Sequence, residues 1–79
     1  HITQGLEIAD WQAEPERLRL RTVDMGRRAT GELWIALPRP PVSAACNGLP
    51  VAVTALGEDI YRLVLDFTGQ AQIEIDLPR

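Results

Sequence analysis

Lysine is missing from this chain, and cysteine, histidine and serine occur once each, as Cys46, His1 and Ser43. A single cysteine excludes a disulfide within the chain. One cysteine with one histidine falls short of the ligands a structural zinc site needs. Nucleophilic catalysis requires a nucleophile with a base in reach, and here the one histidine stands at the first position, where it reads as a tag or vector remnant and is left out of the site reasoning. All eight basic residues are arginine and the net charge is −3. The longest basic group is Arg27 with Arg28, beside Gly26, so nucleic acid and anionic membrane are not expected partners. No apolar run approaches the roughly 18 residues of a membrane span. No phosphate-cradling glycine loop or dinucleotide fingerprint occurs, and a signal peptide is not expected. The chain opens on His1 rather than methionine, which fits a domain excised from a longer protein. Seventy-nine residues read as a single domain spanning 1–79.

What is present is alternation. Leu6 and Ile8 alternate with Glu7 and Ala9 ahead of Asp10 and Trp11; Leu18 and Leu20 alternate with Arg17, Arg19 and Arg21. The same period of two recurs at Leu33, Ile35 and Leu37, at Val42, Ala44 and Cys46, at Val51 and Val53, at Tyr61 to Phe67, and at Ile73, Ile75 and Leu77. Alternation over short runs is the signature of half-buried strands. The separators are Glu14-Pro15, Gly26, Thr30-Gly31, the stretch 38–41, Asn47-Gly48, Gly57-Glu58-Asp59 and Thr68-Gly69, all with turn chemistry. Asn47-Gly48 is the strongest, because both residues tolerate the positive φ of a two-residue hairpin turn. The one helical candidate, 10–20, is interrupted by Pro15. Seven short strands spaced by turns predict an all-β fold, a small antiparallel sandwich of immunoglobulin-like type.

Arg17, Arg19 and Arg21 form a ladder on one face of the second predicted strand, and Glu74 with Asp76 an acidic pair on the last. If those strands are neighbours, the opposite charges set register and discourage edge-to-edge association. Trp34 is less ordinary. With Leu33, Ile35 and Leu37 facing the core, Trp34 must face the other way. Trp11 is its candidate companion. Three occupants suit such aromatics: a companion domain, a loop of this domain, or the C–H face of a sugar ring.

Chemistry-bearing groups are sparse. Cys46 reads as a small core residue. Glu58, Asp59, Asp66, Glu74 and Asp76 fall in turns or on solvated strand faces, not across a cleft as paired-carboxylate hydrolysis requires. The Gly57-Glu58-Asp59 turn is acidic but lacks the ligand count of a calcium site. No catalytic, metal or cofactor residues are therefore expected.

Residues 31–38 (Gly-Glu-Leu-Trp-Ile-Ala-Leu-Pro), 42–51 (Val-Ser-Ala-Ala-Cys-Asn-Gly-Leu-Pro-Val), 61–66 (Tyr-Arg-Leu-Val-Leu-Asp) and 73–77 (Ile-Glu-Ile-Asp-Leu) follow one another. Their succession resembles the short C-terminal β-sandwich domains that follow the (β/α)-barrel of many glycoside hydrolases, such as the α-galactosidase and α-glucosidase groups. In that pattern a strand ending in proline leads to an Asn-Gly hairpin, a tyrosine-bearing strand and an isoleucine-rich closing strand. Ala45-Cys46 stands where those domains carry a β-branched pair, and the first segment has no counterpart. The resemblance implies a non-catalytic accessory domain of a larger, carbohydrate-active bacterial enzyme, packing on the catalytic domain, which holds the catalytic carboxylates. Two alternatives differ in class: a carbohydrate-binding module using Trp34 and Trp11, and an immunoglobulin-like assembly module binding protein through an edge strand.

Overall fold

The computed structural model describes residues 1–78. Among these, nine strands form: β1 (Ile2–Gln4), β2 (Ile8–Ala13), β3 (Arg17–Thr22), β4 (Arg28–Ala36), β5 (Ser43–Cys46), β6 (Leu49–Pro50), β7 (Val53–Gly57), β8 (Ile60–Thr68) and β9 (Gln72–Asp76). They pair antiparallel in two sheets, β1-β4-β8-β7 and β2-β3-β9-β5-β6. The sheets bury their facing sides against each other in a β-sandwich. Leu33, Leu63 and Leu65 from the first sheet meet Ile73 and Ile75 from the second, all fully buried. The alternation read from the sequence places each of these inward.

Two of the nine strands, β1 and β6, are additional to the seven expected. Both are short, three and two residues, too brief for alternation to register. The first expected strand is also displaced. Leu6 lies not in a strand but in the crossing from β1 to β2, where it is buried. Strand pairing then shifts between Ile8 and Asp10, so that Ile8 lies opposite Thr22 and Trp11 opposite Leu20. An extra residue in one strand turns the following side chains to the other face, and the bulge at Ala9 thereby brings Trp11 to the same side as Ile8.

Thr30-Gly31 is not a separator. β4 runs straight through it from Arg28 to Ala36, paired with β8 along its whole length. The glycine serves the crossing instead. A Cβ on Gly31 would stand 2.3 Å from the Gln4 carbonyl oxygen and 2.9 Å from Leu6 Cδ2, closer than atoms pack. Its bare backbone lets the chain cross closely from β1 in the first sheet to β2 in the second. Asn47 (φ 51°) and Gly48 (φ 81°) do form the two-residue turn joining β5 to β6. A second turn of the same hand, Glu58 (φ 54°) and Asp59 (φ 64°), joins β7 to β8.

The end of the sandwich away from His1 is knitted by polar contacts. Thr22 is fully buried. Its hydroxyl accepts a hydrogen bond from the Ala71 amide at 2.9 Å, and its own amide donates to the Ala71 carbonyl at 3.0 Å. The Val23 amide donates to Glu7, and Met25 and Arg27 exchange backbone bonds with Gly69. Each loop at this end is thus tied to another, as buried backbone groups require.

Candidate functional site at the Trp11 and Trp34 corner

The two outer faces of the sandwich differ in kind. On the β3–β9 face, Arg17 lies opposite Asp76 and Arg19 opposite Glu74, so the predicted neighbours are neighbours. Arg17 Nε donates to Asp76 Oδ1 at 2.7 Å, with Glu74 at 3.3 Å from its Nη1. Arg19 reaches Glu14 at 3.6 Å, and Arg21 pairs with Asp10. Every arginine of β3 therefore has an acidic partner. Hydrogen bonds from Arg17 and then Ser43 hold the Asp76 carboxyl below its ordinary pKa. Two hollows of about 250 and 320 Å³ on this side are lined largely by the same paired charges. Most of the charges lining them are already paired, Arg17 with Asp76 and Glu74, Arg19 with Glu14, and Arg21 with Asp10.

The β1–β4–β8 outer face carries Trp34, directly between Ile2 on β1 and Arg62 on β8. Val64, Ile60 and Ala36 share this side by alternation. Trp34 is 40% exposed and Ile2 66%. Arg62 Nη1 lies 3.4 Å from Glu32 Oε1, while its Nε is buried with no acceptor among the described residues. Such a donor carries a desolvation cost. Farther along, Arg28 clamps Asp66 through two hydrogen bonds, of 3.0 and 2.6 Å, lowering the pKa of that carboxyl.

Trp11 belongs to the other sheet. Lying opposite Leu20, it points to the core side of edge strand β2, yet it is 61% exposed. The first sheet ends at the three-residue β1 and does not extend over it. A hollow of about 190 Å³ opens there between the sheets, lined by His1, Trp11, Leu18, Leu20, Ile35 and Ala36. A second, of about 140 Å³, lies on the other side of β1 and shares His1, Ile35 and Ala36 while adding Ile2, Trp34 and Ile60. The two tryptophans thus flank the first strand at one corner of the sandwich. Each hollow reaches a core side chain, Ile35.

The alternation of β4 was enough to place Trp34 outside. Alternation alone does not bring Ile2 and His1 to this corner: β1 is too short to show it, and a histidine at the first position reads as foreign. An unbroken apolar side chain two residues from the start was the only available sign.

The remaining candidate groups lie elsewhere. Cys46 is buried and in no disulfide, and burial, with a smaller contribution from the Asp66 charge, pushes its thiol pKa up, which disfavours the reactive thiolate. Ser43 is exposed and donates to Asp76 Oδ2 at 3.0 Å. That carboxylate, stabilised by Arg17, is too weak a base to activate the hydroxyl. Among the described residues no three of histidine, cysteine, aspartate and glutamate converge as metal ligands. Chemically, then, the Trp11–Trp34 corner offers apolar contact with a few polar groups at its border. No family model, curated protein or solved structure matches this chain.

Proposed function

We propose that this chain is a non-catalytic accessory β-sandwich that docks, through the corner formed by Ile2, Trp11 and Trp34, on a catalytic domain of the same longer protein and stabilises it. The observation that carries the reading is the asymmetry of exposure. Three large apolar side chains stand open around two adjoining hollows at one corner, while the opposite face spends its charges on itself. Burying one such side chain contributes about 1.5–3 kcal/mol, and aromatic anchors set in hollows are the usual energetic centre of an interface. The resemblance of residues 31–77 to glycoside hydrolase C-terminal domains supports a carbohydrate-active parent.

The test is made on the parent chain. Ile2→Ser, Trp11→Ser and Trp34→Ser should each lower the thermal midpoint of the catalytic unit, with the double tryptophan variant lowest. Unchanged midpoints in all of them would overturn the reading.

One observation favours a second reading. Trp34 has the Glu32–Arg62 ion pair beside it on the same face, and an aromatic ring bordered by hydrogen-bonding groups suits a sugar. Titration with a panel of oligosaccharides, followed by tryptophan fluorescence, separates the two: docking predicts no response, and a saturable response abolished by Trp34→Ser favours the sugar platform.

A further inference from the structure

The Asn47-Gly48 turn does more than reverse the chain. The Asn47 amide donates to the Gln72 carbonyl at 2.9 Å. In return, Asn47 Oδ1 accepts from the Gln72 amide at 2.8 Å, and Nδ2 donates to the Gln70 carbonyl at 3.2 Å. Both ends of the carboxamide are therefore held, one by Gln70 in the segment joining β8 to β9 and the other by Gln72, which opens β9. This side chain latches the exposed β5–β6 hairpin onto that segment, in continuation of the β5–β9 ladder, whose last pair is Cys46 with Ile73.

An asparagine followed by glycine is also the least hindered site for intramolecular attack on a carboxamide, because glycine has no Cβ to shield its amide nitrogen. Here nothing lies within 4 Å of where a Gly48 Cβ would stand, and both residues are exposed. The latch opposes the reaction by pointing the carboxamide across to Gln70 and Gln72.

We propose that Asn47-Gly48 is a deamidation site gated by the fold. When the hairpin opens, the Gly48 amide nitrogen bonds to Asn47 Cγ, the Cγ–Nδ2 bond breaks, and the displaced nitrogen leaves as ammonia with the proton from Gly48. One water then opens the cyclic imide at either carbonyl, giving aspartate or isoaspartate; the net exchange is one water in and one ammonia out. Either product loses the Nδ2 donor and sets an oxygen toward the Gln70 carbonyl. Isoaspartate also routes the main chain through the side-chain carbon, so a two-residue turn no longer closes Cys46 onto Leu49. The modification unlatches the β5–β6 edge and does not reverse on its own.

The test compares protein incubated at mildly alkaline pH in its native state with protein incubated in urea, using peptide mapping of residues 46–51 for the acid product and for isoaspartate. Conversion should be at least about tenfold slower in the native protein, because reaction then requires local opening. Equal rates, or no conversion in the unfolded chain, would overturn the proposal. The converted protein is then refolded beside a urea-treated control kept at acidic pH. It should melt lower than the control and exchange the Gln72 amide proton faster. The same midpoint and the same exchange in both would refute the latch.

Discussion

The two outer faces of this sandwich are built from strands of similar alternation, yet they present opposite surfaces to their surroundings. On the β3–β9 face each arginine meets an acid across the strand gap. On the β1–β4–β8 face the corresponding row reads Ile2, Trp34, Arg62. Paired charges on a solvated face are each worth little to stability, about 0–1 kcal/mol. What they do well is fix register, since a slip by one residue would put Arg17 and Arg19 into the core. The β1–β4–β8 face also holds cross-strand pairs, Glu32 with Arg62 and Arg28 with Asp66, but the row through Trp34 and Ile2 is apolar. Its register is held from beneath by Leu33 and Leu63, which leaves its outer residues free to serve contact. One face is covered by its own paired charges, and the other leaves Ile2 and Trp34 exposed.

The comparison breaks most completely where the core beneath the open face is removed. Leu65→Ala empties a fully buried site and should cost about 2–5 kcal/mol in urea unfolding. Gly31→Ala acts on the device that delivers β1 to the corner. Its new Cβ meets backbone at 2.3 Å, and a loss of roughly 1–3 kcal/mol or more is expected, with the Trp34 emission shifted as β1 detaches. Gly26→Ala is the control: no atom lies within 4 Å of its Cβ, so only the positive-φ cost of about 1–2 kcal/mol applies. If the two glycine variants unfold alike, the crowded crossing is not what holds β1.

Charges on both outer faces answer to pH, Asp76 on the β3–β9 face and Asp66 on the β4–β8 face. Asp76 and Asp66 both have folded pKa values below the ordinary 3.8, chiefly through hydrogen bonds from Arg17 and Arg28. Their contribution is complete above that ordinary value and is lost as pH falls through the lowered folded values. An Arg17→Gln, Arg28→Gln double variant should therefore flatten the decline of thermal midpoint at acid pH, an effect read by melting at a series of pH values. The smallest change is expected from Arg19→Gln, whose exposed partner Glu14 lies at 3.6 Å; less than about 1 kcal/mol should be lost. A larger loss would mean that the β3 ladder carries stability as well as register.

Much of this was legible in the residues, and the reasons are specific. Leu33, Leu63 and Ile75 announced their strands because a half-buried strand must alternate. The charges of β3 and β9 announced their adjacency because like charges would not tolerate it. Asn47-Gly48 announced its turn through its φ. Gly31 misled because the same missing side chain serves a turn and a close crossing equally well, and only the position of Gln4 tells them apart. Trp11 was a visible candidate, but its facing was hidden by the bulge at Ala9, which reverses the phase on which any facing argument depends. Ile2 was hidden by the shortness of β1. The corner joins the two sheets of the sandwich, and no local pattern encodes which residues of separate sheets meet.

The most direct measurement is hydroxyl-radical footprinting of the parent protein beside the isolated domain, read residue by residue. Docking through the corner predicts that Ile2, Trp11 and Trp34 are oxidised in the isolated domain and protected in the parent, while Val42 and Leu49, exposed elsewhere, are oxidised equally in both. Equal oxidation of Trp11 and Trp34 in the two proteins would contradict it.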